Sequence, residues 1–162
     1  IDTGNIIFQE KTPIAPNQTA GELHDVLMDI GSKLVLKTVQ AIEAGNCTTQ
    51  PQPNLPDLRP APKIFTETCR INWQQPTAQV YNFVRGLSPY PAAFTTLHDK
   101  ILKIYQAKPI IEMYNQTAGT FVTDQKTYLP IATADGWIEV LELQMEGKKR
   151  MGVQEFLRGN KV

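Results

Sequence analysis

Two short stretches and a scattered set of rings hold the residue types that could do chemistry. Asp2-Thr3-Gly4 places an acid, a small residue and a glycine just ahead of the apolar run Ile6-Ile7-Phe8. An acid on a loop before a strand can act as general acid or base, and the glycine lets a ligand approach the backbone closely. Far along the chain, Lys148-Lys149-Arg150 gathers cations directly after the apolar stretch 137–145, the longest of the expected strands. Cations clustered on a loop suit phosphates. Arg85, Lys103 and Lys108 are candidates to join them, and Lys63 stands where a proline-rich stretch ends. Tyr90, Phe94, Tyr105, Tyr128 and Trp137 could stack on bases, although rings at strand spacing more commonly fill a core.

Other chemistries find no support in the residue pattern. No metal-ligand spacing, phosphate-cradling glycine loop or nucleophile–His–acid set is visible, and His24 and His98 fall in different segments. Cys47 and Cys69 sit in unrelated contexts and read as free thiols. Asn17, Asn46 and Asn115 each match the glycosylation acceptor pattern, which is too common in turns to imply secretion. The net charge is zero, but residues 1–62 hold four Lys/Arg against seven Asp/Glu and residues 63–162 hold twelve against nine. A basic end on a neutral chain points to an anionic partner. No apolar run approaches the ~20 residues of a membrane helix, and Ile1 is not a natural start, so the chain reads as a fragment or processed product.

The elements that must position these residues follow from periodicity. Residues 4–9 read as a turn into a short strand with no obvious partner, which suggests a sheet begun upstream. Thr19-Ala20-Gly21-Glu22 has the capping-box pattern, and Leu23, Val26, Leu27, Ile30, Leu34, Val39 and Ile42 follow at helical spacing. That helix should end near Gly45. Residues 45–63 hold five of the twelve prolines and read as a semi-rigid linker and domain boundary. Beyond it, Val80, Phe83, Val84 and Leu87 mark a second helix. It runs into the double-proline corner Ser88-Pro89-Tyr90-Pro91, with Gly86 expected in the left-handed conformation that closes a helix. Strands are then expected at 94–97, 101–107, 110–114, 120–123, 127–133 and 137–145, and a short helix at 151–159. Strands at about ten-residue spacing imply a small barrel.

These stretches also carry a likeness. Ile-Asp-Thr-Gly-Asn-Ile-Ile (1–7), Ala61-Pro62-Lys63-Ile64, Arg70-Ile71-Asn72-Trp73, residues 81–92, Ala134-Asp135-Gly136-Trp137 and residues 143–151 together resemble the methionyl-tRNA formyltransferase family, in order and spacing, over essentially the whole chain. The resemblance implies an α+β fragment. Residues 1–44 would be the strand-and-helix remnant of a Rossmann-like formyltransferase domain, 45–63 the linker, and 64–162 an OB-like barrel with a short helix at each end. It implies a cytoplasmic, monomeric enzyme that moves a formyl group from 10-formyltetrahydrofolate to the amino group of initiator methionyl-tRNA, without a metal. Asp2 matches the family's aspartate, whose Asn and His partners would lie upstream, so these residues alone should be inactive. Lys148, Lys149, Arg150, Lys63 and Arg85 would contribute to tRNA binding. Asn5 departs from the family's usual Asp, a change a surface turn should tolerate. Related sugar-nucleotide formyltransferases and the folate-binding half of 10-formyltetrahydrofolate dehydrogenase share the plan and remain alternatives. A stand-alone nucleic-acid-binding barrel is the alternative from another class.

Overall fold

The computed structural model describes residues 4–53, 60–112 and 116–162. The chain divides into two compact units, one of residues 1–18 and 22–63, the other of 19–21 and 64–162.

The first unit is dominated by helix α1 (Ala20–Glu43). Its end follows from the backbone. Gly45 takes φ +67, Asn46 N–H donates to the Ala41 carbonyl at 3.0 Å, and Gly45 N–H donates to Ile42 at 3.1 Å. This is the glycine-closed Schellman arrangement, which satisfies carbonyls that a helix end leaves orphaned. No residue of α1 is buried, and Val26, Leu27, Val39 and Ile42 from the predicted stripe are exposed. The strand expected at 4–9 is instead a single antiparallel bridge between Ile6 and Gln50, with paired backbone bonds of 2.7 and 2.8 Å. Its partner is thus the proline-rich stretch. Asn5 Nδ2 donates to Thr49 Oγ1 and Gln52 Nε2 to the Gly4 carbonyl, so this stretch is stitched back onto residues 4–6.

The second unit is a curled antiparallel sheet with a helix before and a helix after it. A 3₁₀ turn (Glu67–Cys69) leads to helix α2 (Thr77–Leu87), then β1 (Ala93–Leu97), β2 (Lys100–Ile110), β3 (Pro130–Ala132), β4 (Trp137–Met145), β5 (Met151–Gly152) and helix α3 (Val153–Gly159). The sheet order is β1-β2-β4-β3, with β5 also on β4. Val80, Val84 and Leu87 of α2 and Val153, Phe156 and Leu157 of α3 are buried with Leu102, Ile104, Leu129, Ile131, Ile138, Val140 and Leu143. Alternation along β4 explains this, broken once at Leu141 where the β2–β4 register shifts between Gln106 and Ala107. Ile138, Val140, Leu143 and Met145 face the core, while Glu139, Glu142 and Gln144 are half-exposed. Trp73 is buried as well, its indole N–H donating to Thr95 Oγ1 at 3.1 Å.

Several expectations shift. Gly86 lies within α2 and is not left-handed; Ser88 turns to extended backbone, and Ala92 takes the positive φ of 74°. Both bonds before Pro89 and Pro91 are cis. The β1–β2 connection is only His98-Asp99, both at positive φ, because such a turn matches the twist of the strands it joins. β2 continues through Pro109 to Ile110 and is the longest strand, at eleven residues against nine for β4. Pro109 is tolerated because β1 pairs with β2 only as far as Ile104. Ile111 and Glu112 leave the sheet, and the rest of the strand expected at 110–114 lies outside the described residues. The strand at 120–123 reduces to a bridge between Phe121 and Ile131, and 127–133 to β3. The cause is Asp124, whose carboxylate gathers the amides of Lys126, Thr127 and Tyr128 into a turn. Those bonds, led by Thr127, hold its pKa well below the usual carboxylate range. Met151-Gly152 pair with β4 and only then does α3 begin.

Candidate nucleic-acid interface

The cations 148–150 occupy the turn from β4 to β5. Gly147 takes φ +75 there, and Lys148 N–H donates to the Met145 carbonyl at 2.9 Å, closing a tight reversal. Gln144, half-exposed on β4, donates from Nε2 to the Lys148 carbonyl at 2.8 Å and accepts from the Tyr105 hydroxyl at 2.7 Å. The turn's backbone is therefore pinned while the Lys148 and Lys149 residues are exposed. Arg150 behaves differently. Its guanidinium pairs with the Glu142 carboxylate and lies 4.3 Å over the Tyr105 ring. The Glu142 hydrogen bond raises its already high pKa, against a smaller opposing effect of burial.

Tyr105 can reach both groups because the β2–β4 register shifts between Ile104 and Gln106. A bulge re-aims a side chain in this way. Next to it in β2, Lys103 is half-buried and stands opposite Phe94 of β1 and Gln144 of β4. Lys108 is exposed opposite Glu139. The outer surface here carries Lys103, Lys148, Lys149 and Arg150 against Glu142 and Glu146, with Arg150 and Glu142 engaged with each other. Such a surface can pair with anions. It has no acid–base couple suited to making or breaking bonds.

The other expected residues lie elsewhere. Arg85 is on α2, with Nε donating to Asn82 Oδ1 at 2.7 Å. Lys63 is exposed and belongs to the first unit. Asp2 lies outside the described residues. Of the rings, Tyr90 is 87% exposed and Tyr128 is exposed, Phe94 and Trp137 are half-buried, and Tyr105 is buried. Sequence reasoning missed Glu142 and Gln144 entirely, since only strand register reveals that they brace Arg150 and Tyr105. Among the described residues no group of three or more His, Cys, Asp or Glu side chains could hold a metal. No described helix is long and apolar enough to cross a membrane.

A second constellation bears on the fold alone. Asp135, in the loop before β4, accepts from the Thr77 backbone N–H and from Thr77 Oγ1, both at 2.7 Å. Thr77 Oγ1 also contacts Thr133 Oγ1 at 2.7 Å. Pro76 provides no side-chain cap, so an acid 58 residues away caps α2. The Thr77 amide bond leads in lowering the pKa of Asp135. Gly136 follows, and a Cβ there would lie 2.4 Å from the Ile110 carbonyl oxygen and from Thr77 Oγ1.

Comparison with known proteins places the chain among its relatives. Methionyl-tRNA formyltransferases of Phocaeicola vulgatus and Bacteroides thetaiotaomicron are 49% and 47% identical over 98% of this chain, which covers 52% of each. The chain thus spans about half the length of the curated relatives it matches. Two solved structures share the fold. HypX from Aquifex aeolicus, in complex with tetrahydrofolic acid, has a TM-score of 0.70 at 19% identity, covering 96% of this chain and 27% of its own. WlaRD, a sugar 3N-formyl transferase, has a TM-score of 0.64 at 23% identity, covering 92% and 52%. Residues 63–161 match the formyl transferase C-terminal domain, and the chain belongs to that family.

Proposed function

We propose that this chain is the C-terminal portion of a methionyl-tRNA formyltransferase, and that its second unit contributes phosphate contacts to initiator methionyl-tRNA. The observation that carries the reading is the 49% identity to a methionyl-tRNA formyltransferase over nearly the whole chain. In this reading residues 1–44 belong to the catalytic domain, 45–63 join the domains, and 64–162 form the OB-like tRNA-binding domain. Lys148 and Lys149 are the main contacts, with Lys63 and Arg85 as further ones and Arg150 bracing the surface. The enzyme is cytoplasmic and monomeric and needs no metal.

The reaction is attack of the methionyl amine on the formyl carbon of 10-formyltetrahydrofolate. The new amide C–N bond forms, the bond from the formyl carbon to N10 breaks, and tetrahydrofolate leaves with the proton lost by the amine. Asp2 assists that proton transfer through a His supplied from outside this chain. The described residues do not fit the folate donor. No buried side-chain nitrogen or oxygen among them lacks a hydrogen-bond partner, so none is held in reserve for a pteridine. The donor is assigned to the upstream domain.

A chimera tests the reading. This chain replaces the matching half of the Phocaeicola vulgatus enzyme, and formylation of methionyl-tRNA is measured. The chimera should formylate, and this chain alone should not. A folded chimera without activity, or turnover by the isolated chain, would overturn the assignment.

A further inference from the structure

Beside the β4–β5 turn lies a shallow hollow of about 200 Å³, lined by Ile101, Lys103, Gln144, Met145, Glu146 and Gly147. Lys103 is its cation. The residue is half-buried in β2, and among the described residues its ammonium has no hydrogen-bond or ion-pair partner. Its cross-strand neighbour Gln144 cannot turn toward it without loss, since both ends of that amide are already bonded, to Tyr105 and to the Lys148 carbonyl. Gln144 therefore fixes the wall of the hollow next to the turn that carries Lys148. Arg150, the third cation of the turn, is committed to Glu142 and Tyr105.

We propose that Lys103 is a phosphate-binding residue of this surface, holding the polynucleotide backbone in the hollow beside Lys148 and Lys149, and that Arg150 is a positioning residue. The inference rests on reading the turn as a tRNA contact. Its basis is that phosphate affinity comes from cations able to exchange their counterions, and a cation already neutralised by a carboxylate has fewer to release. One charge opposes the ligand. Glu146 lines the same hollow, although its carboxylate is held by the Ile101 amide at 3.1 Å. Its negative charge sets an upper limit on binding that a neutral isostere would lift.

Bulk tRNA binding to the 162-residue chain is measured by filter binding across a salt series. Lys103→Met, which keeps the aliphatic stem, should lower the slope of log affinity against log salt by ~0.7–0.9, the value of one phosphate contact. Lys103→Arg should retain the slope, and Glu146→Gln, which keeps the acceptor for Ile101, should tighten binding at low salt. Thermal melts of each variant establish that the fold is kept. An unchanged slope for Lys103→Met, together with a fall for the Lys148→Ala/Lys149→Ala pair, overturns the Lys103 site and leaves the turn as the interface. Unchanged slopes for both overturn the interface itself.

Discussion

Strand β4 has a glycine turn at each end, and the two do opposite work. At its start, Asp135-Gly136 is held from inside: the carboxylate caps α2, and the glycine lets the loop pass against the Ile110 carbonyl. At its end, Gly147-Lys148-Lys149 is held only through its backbone and presents its cations outward. Both belong to the stretches that make the family likeness visible. The first serves the fold; the second is the turn proposed to meet a partner. Likeness by itself does not separate the two roles; burial and hydrogen bonding do.

The sharpest break in that comparison is alanine substitution at each turn. Gly136→Ala should destabilise the second unit by about 3 kcal/mol or unfold it, since the new Cβ meets a backbone oxygen that cannot retreat. Urea melts would show it, and a Gly136→Ala protein as stable as its parent would remove the loop from the core. Substitution of Lys148 and Lys149 by Ala should leave the melt within about 0.5 kcal/mol of the parent, as for ordinary surface changes.

Acid separates the two ends next. The Asp135 pKa is depressed in the folded chain by its bonds to Thr77. A depressed carboxylate contributes stability that is present above its unfolded pKa of about 3.9 and is lost as pH falls through the lower folded value. Asp135→Asn should therefore be less stable than the parent at neutral pH. The gap should close as the pH drops below about 4, because the parent loses there what the variant already lacks. A gap that stays constant with pH would mean that the Asp135 charge is not what caps α2. Asp124 is also depressed, but it is present in both proteins and cancels in the comparison.

How much of this was legible beforehand divides along the same line. The stripe of α2, the core face of α3 and the position of the cations after β4 all follow from local period and composition, and the structure has them. What could not be read depends on pairs distant in sequence. Asp135 reads as a turn acid until Thr77 is brought to it from 58 residues away. Gly86 looks like the helix stop, yet buried Ala92 takes the left-handed backbone, because its surroundings fix the chain path after Pro91. The role of Tyr105 required a register shift that no spacing rule discloses.

Within the basic turn the same distinction recurs on a smaller scale, and a conservative change exposes it. Arg150→Lys keeps the charge but gives up the planar guanidinium that lies over Tyr105 and pairs with Glu142. The stack and the ion pair are each partly open to water, so their combined loss should cost only about 1 kcal/mol. If Arg150 is a brace, the melt should move by that amount while the salt slope for tRNA stays with the parent. If it is a phosphate ligand, Arg150→Met, which removes the charge, should lower the salt slope by ~0.7–0.9, the value of one phosphate contact, whereas for a brace the slope stays with the parent in both variants. The two outcomes have opposite signatures because bracing is paid in folding free energy and contact in binding free energy. A small stability loss at unchanged slope would place Arg150 with Asp135, on the structural side of the line that Lys148 and Lys149 define.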